Sequence, residues 1–286
     1  MPTAKVALRD AEDLLKGSDA IEHPHAGKEL ADAEELLSFV LGLEEWDEDL
    51  TLTHQELWSF KRLVARRARG APPAYLTGRT TFRRLVIHVG PGAFVPRESS
   101  EFMAHQAVVR LRSRKHPVHL DLATGVGPVA LAVASAIPRA SVFGVDLYAS
   151  PVRQAKDNAR RLALPNATFF RGDLFRPLPA DLRGSIDVVT VHPPYVGKRE
   201  MRDLPDEIVR FEPEESLTDY SRDGLGLLGR VVEEAPRWLR PGGWLLVEVS
   251  PDRSRSVATV LRRGGFDDVR STKGPVPVSR VVLGRA

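Results

Sequence analysis

The sequence predicts an α/β protein, a mainly parallel sheet with crossover helices, preceded by a small helical region. Three observations carry that prediction. After about residue 103, strand-like and helix-like stretches alternate, as they do when parallel strands are joined by helices. Before about residue 75, apolar residues recur instead at spacings of three and four. A glycine-rich turn, Gly125-Val-Gly127, follows the first strand of the alternating region. Open α/β sheets bind ligands at that end of their strands.

The helical region comes first. Leu30, Ala33, Leu36, Leu37, Val40 and Leu41 share one helix face. Thr53 and Glu56 have the spacing of a capping box, and Leu57, Phe60, Leu63 and Val64 form the stripe of the helix that follows. Gly70, Pro72 and Pro73 end it. These residues read as packing positions with no catalytic constellation among them. From Tyr75 to Pro96 the period changes, and Phe82, Leu85, Ile87 and Val89 suggest short strands in a hairpin. The expected domains are therefore 1–75, helical; 76–102, a hairpin linker; and 103–286, the sheet domain.

Within the last of these, Val118 to Ala123 is the first predicted strand, followed by the apolar helix Val129 to Ala136. Ser141 to Asp146 is the second, after which Ser150 and Pro151 read as N-cap and first residue of a helix. Thr168 to Phe170 leads to Asp173, and Ile186 to Val191 is rich in β-branched residues. Leu225 to Leu239 reads as a helix stopped by Pro241-Gly242-Gly243, with Trp244 to Val249 as the next strand. Gly264-Gly265-Phe266 and Ser279 to Leu283 suggest a closing antiparallel pair.

Composition narrows the function classes. Forty-two per cent hydrophobic and 28% charged residues are ordinary for a globular chain of 286 residues. The longest apolar run, Val118 to Ala136, is broken by Asp121 and by glycines, so no membrane span is expected. Met1 to Ala20 is charged and lacks the apolar core of a signal peptide, and a cytoplasmic location is expected. The absence of cysteine excludes disulfides, thiolate catalysis and cysteine-type zinc sites. Net charge is only +3, and the most basic stretch (Lys61, Arg62, Arg66, Arg67, Arg69) lies on a predicted packing helix. Only Lys198, Arg199 and Arg202 lie beside the tetrapeptide discussed below, which argues against nucleic acid as partner. No metal site is expected, since the eight histidines lack ligand spacing with nearby acids.

The chemistry concentrates in four places. Asp121-Leu-Ala123-Thr124-Gly125-Val-Gly127 ends a strand and opens a helix, with glycines that let backbone approach a ligand closely. Asp146 stands where an acid grips ribose hydroxyls. Gly125-x-Gly127-x-x-Ala130 also fits a dinucleotide fingerprint, which keeps an NAD-binding oxidoreductase as an alternative. Asp121 favours an adenosyl ligand without a pyrophosphate, because an acid there repels phosphate but suits a sulfonium and its amino-acid tail. Asp173 could accept from an adenine amino group. The fourth place is His192-Pro193-Pro194-Tyr195: two prolines fix an extended segment with free carbonyls, next to an aromatic ring. Such a segment can orient a flat, weakly nucleophilic nitrogen toward a methyl donor, where positioning supplies much of the catalysis.

With these residues in view, the chain resembles the HemK/PrmC family, methyltransferases that modify the glutamine of peptide-chain release factors. The resemblance runs through Pro73-Ala-Tyr75-Leu-Thr-Gly78, Phe82, Phe94-Val-Pro96-Arg97 with Glu101, and Asp121 to Gly127. It continues through Val145-Asp146, Gly172-Asp173-Leu174-Phe175, Phe211-Glu-Pro213, Asp223-Gly224-Leu225, Gly242-Gly243-Trp-Leu-Leu-Val-Glu248 and Ser279-Arg280-Val281. It implies a class I S-adenosylmethionine (SAM)-dependent methyltransferase, with a Rossmann-like, seven-stranded, mostly parallel sheet and a small helical N-terminal domain that docks a protein substrate. It implies SAM contacts from Asp121, Ala123, Thr124, Gly125, Gly127, Asp146, Leu147, Asp173, Leu174 and His192. Substrate contacts would come from Arg97, Glu101, His192, Pro193 and Tyr195, with catalysis at His192, Pro193, Pro194 and Tyr195.

Two places depart from the family pattern. His192 stands where the family has asparagine, and Arg97-Glu-Ser-Ser-Glu101 stands where Arg-Pro-acid-Thr-Glu is usual. A neutral imidazole offers one acceptor nitrogen, and near neutral pH it can also take a proton. A small-molecule or peptide acceptor on the same scaffold, with His192 as acceptor or base, is therefore an alternative to a release factor, and a nucleic-acid base methyltransferase is a less favoured one.

Overall fold

The computed structural model describes residues 1–23, 26–278 and 280–286. The chain divides into two compact units, Met1–Arg79 with Arg202–Glu212, and Thr80–Met201 with Pro213–Ala286.

The first unit is helical: α1 (Ala4–Lys16), α2 (Lys28–Leu41), α3 (His54–Arg67) and the short α4 (Pro73–Thr77). Thr53 caps α3 as the spacing predicts. Its side chain accepts from the Glu56 N–H, and the Glu56 carboxylate accepts from the Thr53 N–H at 2.7 Å. Leu15, Leu36, Leu37, Phe60 and Val64 meet in the core of this unit. Among them Arg67 is 1% exposed, and its guanidinium donates to Asp32 (2.7 Å) and Glu207 (2.6 Å). Glu207 lies on a helix that comes from far along the chain, Asp206–Phe211.

The second unit begins at Thr80, within the hairpin of β1 (Arg79–Phe82) and β2 (Leu85–His88), and α5 (Ser100–Leu111) follows. Arg83 and Arg84 form its two-residue turn with φ of 45° and 67°, the left-handed geometry that matches strand twist. Buried Asn158 holds β2 against the sheet domain: its amide accepts from the His88 N–H and donates to the His88 and Val126 carbonyls.

The strands and helices that follow are β3 (Val118–Leu122), α6 (Pro128–Ala136), β4 (Ser141–Asp146), α7 (Ala149–Arg161), β5 (Ala167–Arg171) and β6 (Ile186–Val191). After α8 (Asp206–Phe211), the helix already placed in the first unit, come α9 (Gly226–Glu234), β7 (Leu239–Val249), α10 (Ser254–Arg263), β8 (Asp267–Lys273) and β9 (Arg280–Arg285). The sheet has seven strands in the order β5-β4-β3-β6-β7-β9-β8. Pairing is parallel through β7, and β9 runs antiparallel to both β7 and β8. All six residues of β6 are buried, as a central strand covered on both faces requires.

The structure corrects three local readings. Tyr148, extended at φ −99°, is the N-cap of α7, and Ser150 lies inside the helix. The Asp146 carboxylate takes the Tyr148 N–H, so the helix starts earlier. Second, α9 ends at Glu234 in a 3-10 turn around Pro236, and β7 starts at Leu239. Leu239 pairs with Ile186 and Trp244 with Val188, so Pro241-Gly242-Gly243 is an irregularity within a strand. Third, Gly264-Gly265-Phe266 precedes β8, and Ser279, expected to open β9, lies outside the described residues. Among the described residues no helix is long and apolar enough to cross a membrane.

Candidate active site

At the carboxyl end of β3 the backbone turns sharply into α6. Ala123, Gly125 and Gly127 have φ of 51°, 57° and 86°. The left-handed region costs glycine nothing but strains alanine, so Ala123 is held there by its surroundings. The Thr124 N–H donates to the Val145 carbonyl, and the Gly127 N–H to the Thr124 carbonyl. A Cβ on Gly125 would meet nothing within 4 Å, so this stretch of backbone is open on one side.

Asp121 lies under that turn, 3% exposed. Thr124 Oγ1 donates to one carboxylate oxygen and Thr190 Oγ1 to the other, both at 2.6 Å. His119 Nε2 lies 2.9 Å from Thr190 Oγ1. Because that hydroxyl gives its proton to Asp121, Nε2 is the donor. Burial holds the His119 imidazole neutral, pushing its pKa down to about 3. Burial also pushes the Asp121 carboxyl up to about 6, against the two threonine hydroxyls that favour its charged form. Asp121 therefore shapes the turn from below.

At the end of β4, Asp146 accepts from the Gly125 N–H and the Tyr148 N–H, each at 3.0 Å. Burial raises its pKa, and these backbone N–H groups oppose the rise. A carboxylate has about four acceptor sites, so lone pairs remain for further donors. Leu147 beside it is 50% exposed. Asp173 sits two residues beyond β5, where its carboxylate accepts from Arg230 at 2.6 Å. Leu174 is buried in the core at φ 50°.

His192-Pro193-Pro194-Tyr195 leaves the end of β6, next to β3. The His192 ring stacks on Tyr195 (centroids 5.7 Å apart) and meets Phe94 edge-on at 5.9 Å. Its Nδ1 lies 3.4 Å from Ser100 Oγ and 3.9 Å from Glu248 Oε2. Tyr195 forms a bridge with Thr218, and the Val196 N–H donates to the Leu217 carbonyl. A Cβ on Gly224 would lie 2.0 Å from the Tyr195 carbonyl oxygen, so only glycine lets this loop close on the tetrapeptide. The Arg97 guanidinium covers the Phe94 ring at 4.6 Å. Glu101 faces the hairpin: its carboxylate accepts from the Arg83 N–H at 2.7 Å.

The structure thus brings together two sets of the expected residues. Asp121, Ala123, Thr124, Gly125, Gly127 and Asp146 form one; Arg97 and His192 on the Phe94 ring, with Tyr195 stacked on His192, form the other. Thr190 on β6, two residues before His192, ties the strand under the second set to Asp121. Asp173 and Glu101 are already engaged, by Arg230 and by the hairpin turn. No local pattern in the sequence marked Thr190 as a neighbour of Asp121, or Ser100 and Glu248 as neighbours of His192. The available signals were a hydroxyl inside Val-Val-Thr-Val and a lone carboxylate inside Trp-Leu-Leu-Val-Glu-Val. Among the described residues no group of three His, Cys, Asp or Glu side chains could hold a metal ion.

Comparison with known proteins places this geometry. A family described as a methyltransferase domain matches residues 113–260, and one described as the PrmC N-terminal domain matches residues 7–78. Two solved structures share the fold at low sequence identity. One is a 16S rRNA methyltransferase of T. thermophilus in complex with AdoMet and guanosine (TM-score 0.52, 19% identity, 72% of this chain and 49% of that one). The other is a methyltransferase from Pyrococcus furiosus (TM-score 0.50, 17% identity, 70% and 88%). The protein is a class I SAM-dependent methyltransferase. Its similarity to the release factor glutamine methyltransferase of Geobacter sulfurreducens is 35% identity over 89% of this chain and 88% of that protein. To the enzyme of that name from Vibrio cholerae it is 34% identity over 99% and 96%. The chain belongs to the HemK/PrmC family.

Proposed function

We propose that this enzyme methylates the side-chain nitrogen of a glutamine in a peptide-chain release factor. The observation that carries the reading is similarity along nearly the whole length of relatives named for that activity, N-terminal region included. Residues 1–75 then dock the protein substrate, 76–102 link, and 103–286 carry the chemistry, in the cytoplasm.

The residues of the first set fit SAM. The open backbone at Gly125 leaves room for the ligand, and Asp146 keeps acceptor capacity for two ribose hydroxyls. Asp121, Ala123, Thr124, Gly125 and Gly127 form the turn around the amino-acid tail, and Leu147 offers an exposed apolar contact to the adenosine. Asp173 and Leu174 lie on the adenine side, where Asp173 must share its carboxylate with Arg230. When bound, SAM supplies an electrophilic methyl group on a sulfonium. His192, Pro193, Pro194 and Tyr195 orient the acceptor nitrogen; Arg97 and Glu101 hold the neighbouring turn.

A second reading, a small-molecule or free-peptide acceptor, is favoured by one observation, His192 in place of the family's asparagine. Incubating the enzyme with methyl-labelled SAM and a purified release factor separates the two. The first reading expects label on the protein. No label on the release factor, with turnover on a small amide, would falsify it.

A further inference from the structure

Glu248 is the one charged residue in the buried stretch Leu245–Val249 of β7, 3% exposed. Its Oε2 is buried with no hydrogen-bond partner among the described residues. An unpaired carboxylate oxygen in such a place is costly unless a positive charge meets it. One candidate is the His192 imidazole, whose Nδ1 is 3.9 Å away. Ser100 Oγ is on the same side of the ring, 3.4 Å from Nδ1. Phe94 and Tyr195 fix the ring plane. With Nδ1 turned toward Ser100 and Glu248, the nitrogen left for a substrate is Nε2, on a side chain that is 22% exposed. The other charges here also act on the stacked Tyr195: Arg97, Asp252 and Arg253.

We infer that Glu248 is a positioning residue that turns His192 into the proton acceptor of the methyl transfer. The inference rests on the glutamine reading above, since an amide nitrogen that gains a methyl group must lose a proton. The nitrogen lone pair forms the new C–N bond as the S–CH3 bond breaks, its electron pair remaining on sulfur. The surplus proton passes from nitrogen to His192 Nε2. The products are the N-methylamide, S-adenosylhomocysteine and an imidazolium whose Nδ1–H faces Glu248. A carboxylate within 4–6 Å favours that charged form, and imidazole is suited to the step near neutral pH. Asparagine at this position orients an amide but cannot take its proton.

The pair can be tested without substrate. Long-range 1H–15N NMR of histidine-labelled enzyme follows the His192 ring through a pH titration, with His192→Asn identifying its signals. Glu248→Gln is expected to weaken proton binding by His192, since it removes the carboxylate 3.9 Å from Nδ1, and Glu248→Asp to restore part of it. Thermal unfolding checks that each variant is folded. An identical His192 titration in wild type and folded Glu248→Gln overturns the proposal.

The kinetic arm uses kcat against pH with a release factor. In Glu248→Gln the acidic limb is expected to move to lower pH and the plateau to fall; in His192→Asn the limb disappears, and adding Glu248→Gln changes nothing further. Equal losses from Glu248→Gln in both backgrounds would mark a merely structural carboxylate and reject the proton-transfer role. If wild-type enzyme labels no release factor, the substrate reading fails while the NMR result still decides the pair.

Discussion

Gly144 shows how tightly single residues fix the candidate SAM site. A Cβ there would lie 2.4 Å from the Phe169 ring and 2.9 Å from Thr124 Oγ1, the hydroxyl that donates to Asp121. Gly144→Ala is therefore expected to cost about 1–3 kcal/mol through overpacking and to weaken SAM binding; calorimetry that finds wild-type affinity would contradict this. Asp121 carries a pH dependence whose sign follows from its burial. The unfolded carboxyl ionises near its ordinary 3.8, while the native one keeps its proton to about 6. Between those values the native state binds more protons, so stability contributed by this group falls as pH rises. Asp121→Asn should remove this group's contribution, making the slope of melting temperature against pH more positive between about pH 4 and pH 6, and an unchanged slope would contradict it. The turn at Gly125 and Gly127 was readable from the sequence, because glycine after a strand marks a sharp change of backbone direction, and both glycines have positive φ. Glu248 was not, because its significance is the distance to His192, which no local pattern encodes.

Individual elements were readable where one physical cause dominates. The Thr53–Glu56 box and the β-branched run of β6 are such cases. Elements were missed where local signals conflict. Ser150-Pro151 looks like a helix start, yet a tertiary acceptor, the Asp146 carboxylate, draws the Tyr148 N–H and sets the boundary. The Pro241-Gly242-Gly243 turn resembles a terminator, but the strand continues past it because Leu239 and Trp244 both pair with β6. The hairpin offers a test of local geometry. Arg84 sits at φ 67° in its turn, where glycine is free of strain. Arg84→Gly should raise stability by a few tenths to about 1 kcal/mol, the strain relieved less glycine's extra unfolded-state entropy. A lower unfolding midpoint would show that the turn is held by contacts of the Arg84 side chain instead.

Across the whole molecule, the alternation of strands and helices and the helical beginning could be read in advance. The membership of Arg202–Glu212 in the N-terminal unit could not, since it depends on Glu207 reaching Arg67 from 140 positions away. Glu207→Ala should destabilise that unit by about 1.5–3 kcal/mol, because the buried Arg67 loses one of the two carboxylates it meets among the described residues. SAM affinity should stay unchanged, and loss of SAM binding in the folded variant would contradict the separation. The identity of the acceptor can be read by mass-spectrometric mapping of a release factor after reaction with 13C-methyl SAM. The account expects one labelled peptide, with the methyl group on the side-chain nitrogen of a glutamine and the label lost when that glutamine is replaced. Label on any other atom, or none on the protein while SAM is consumed on a small amide, would contradict it.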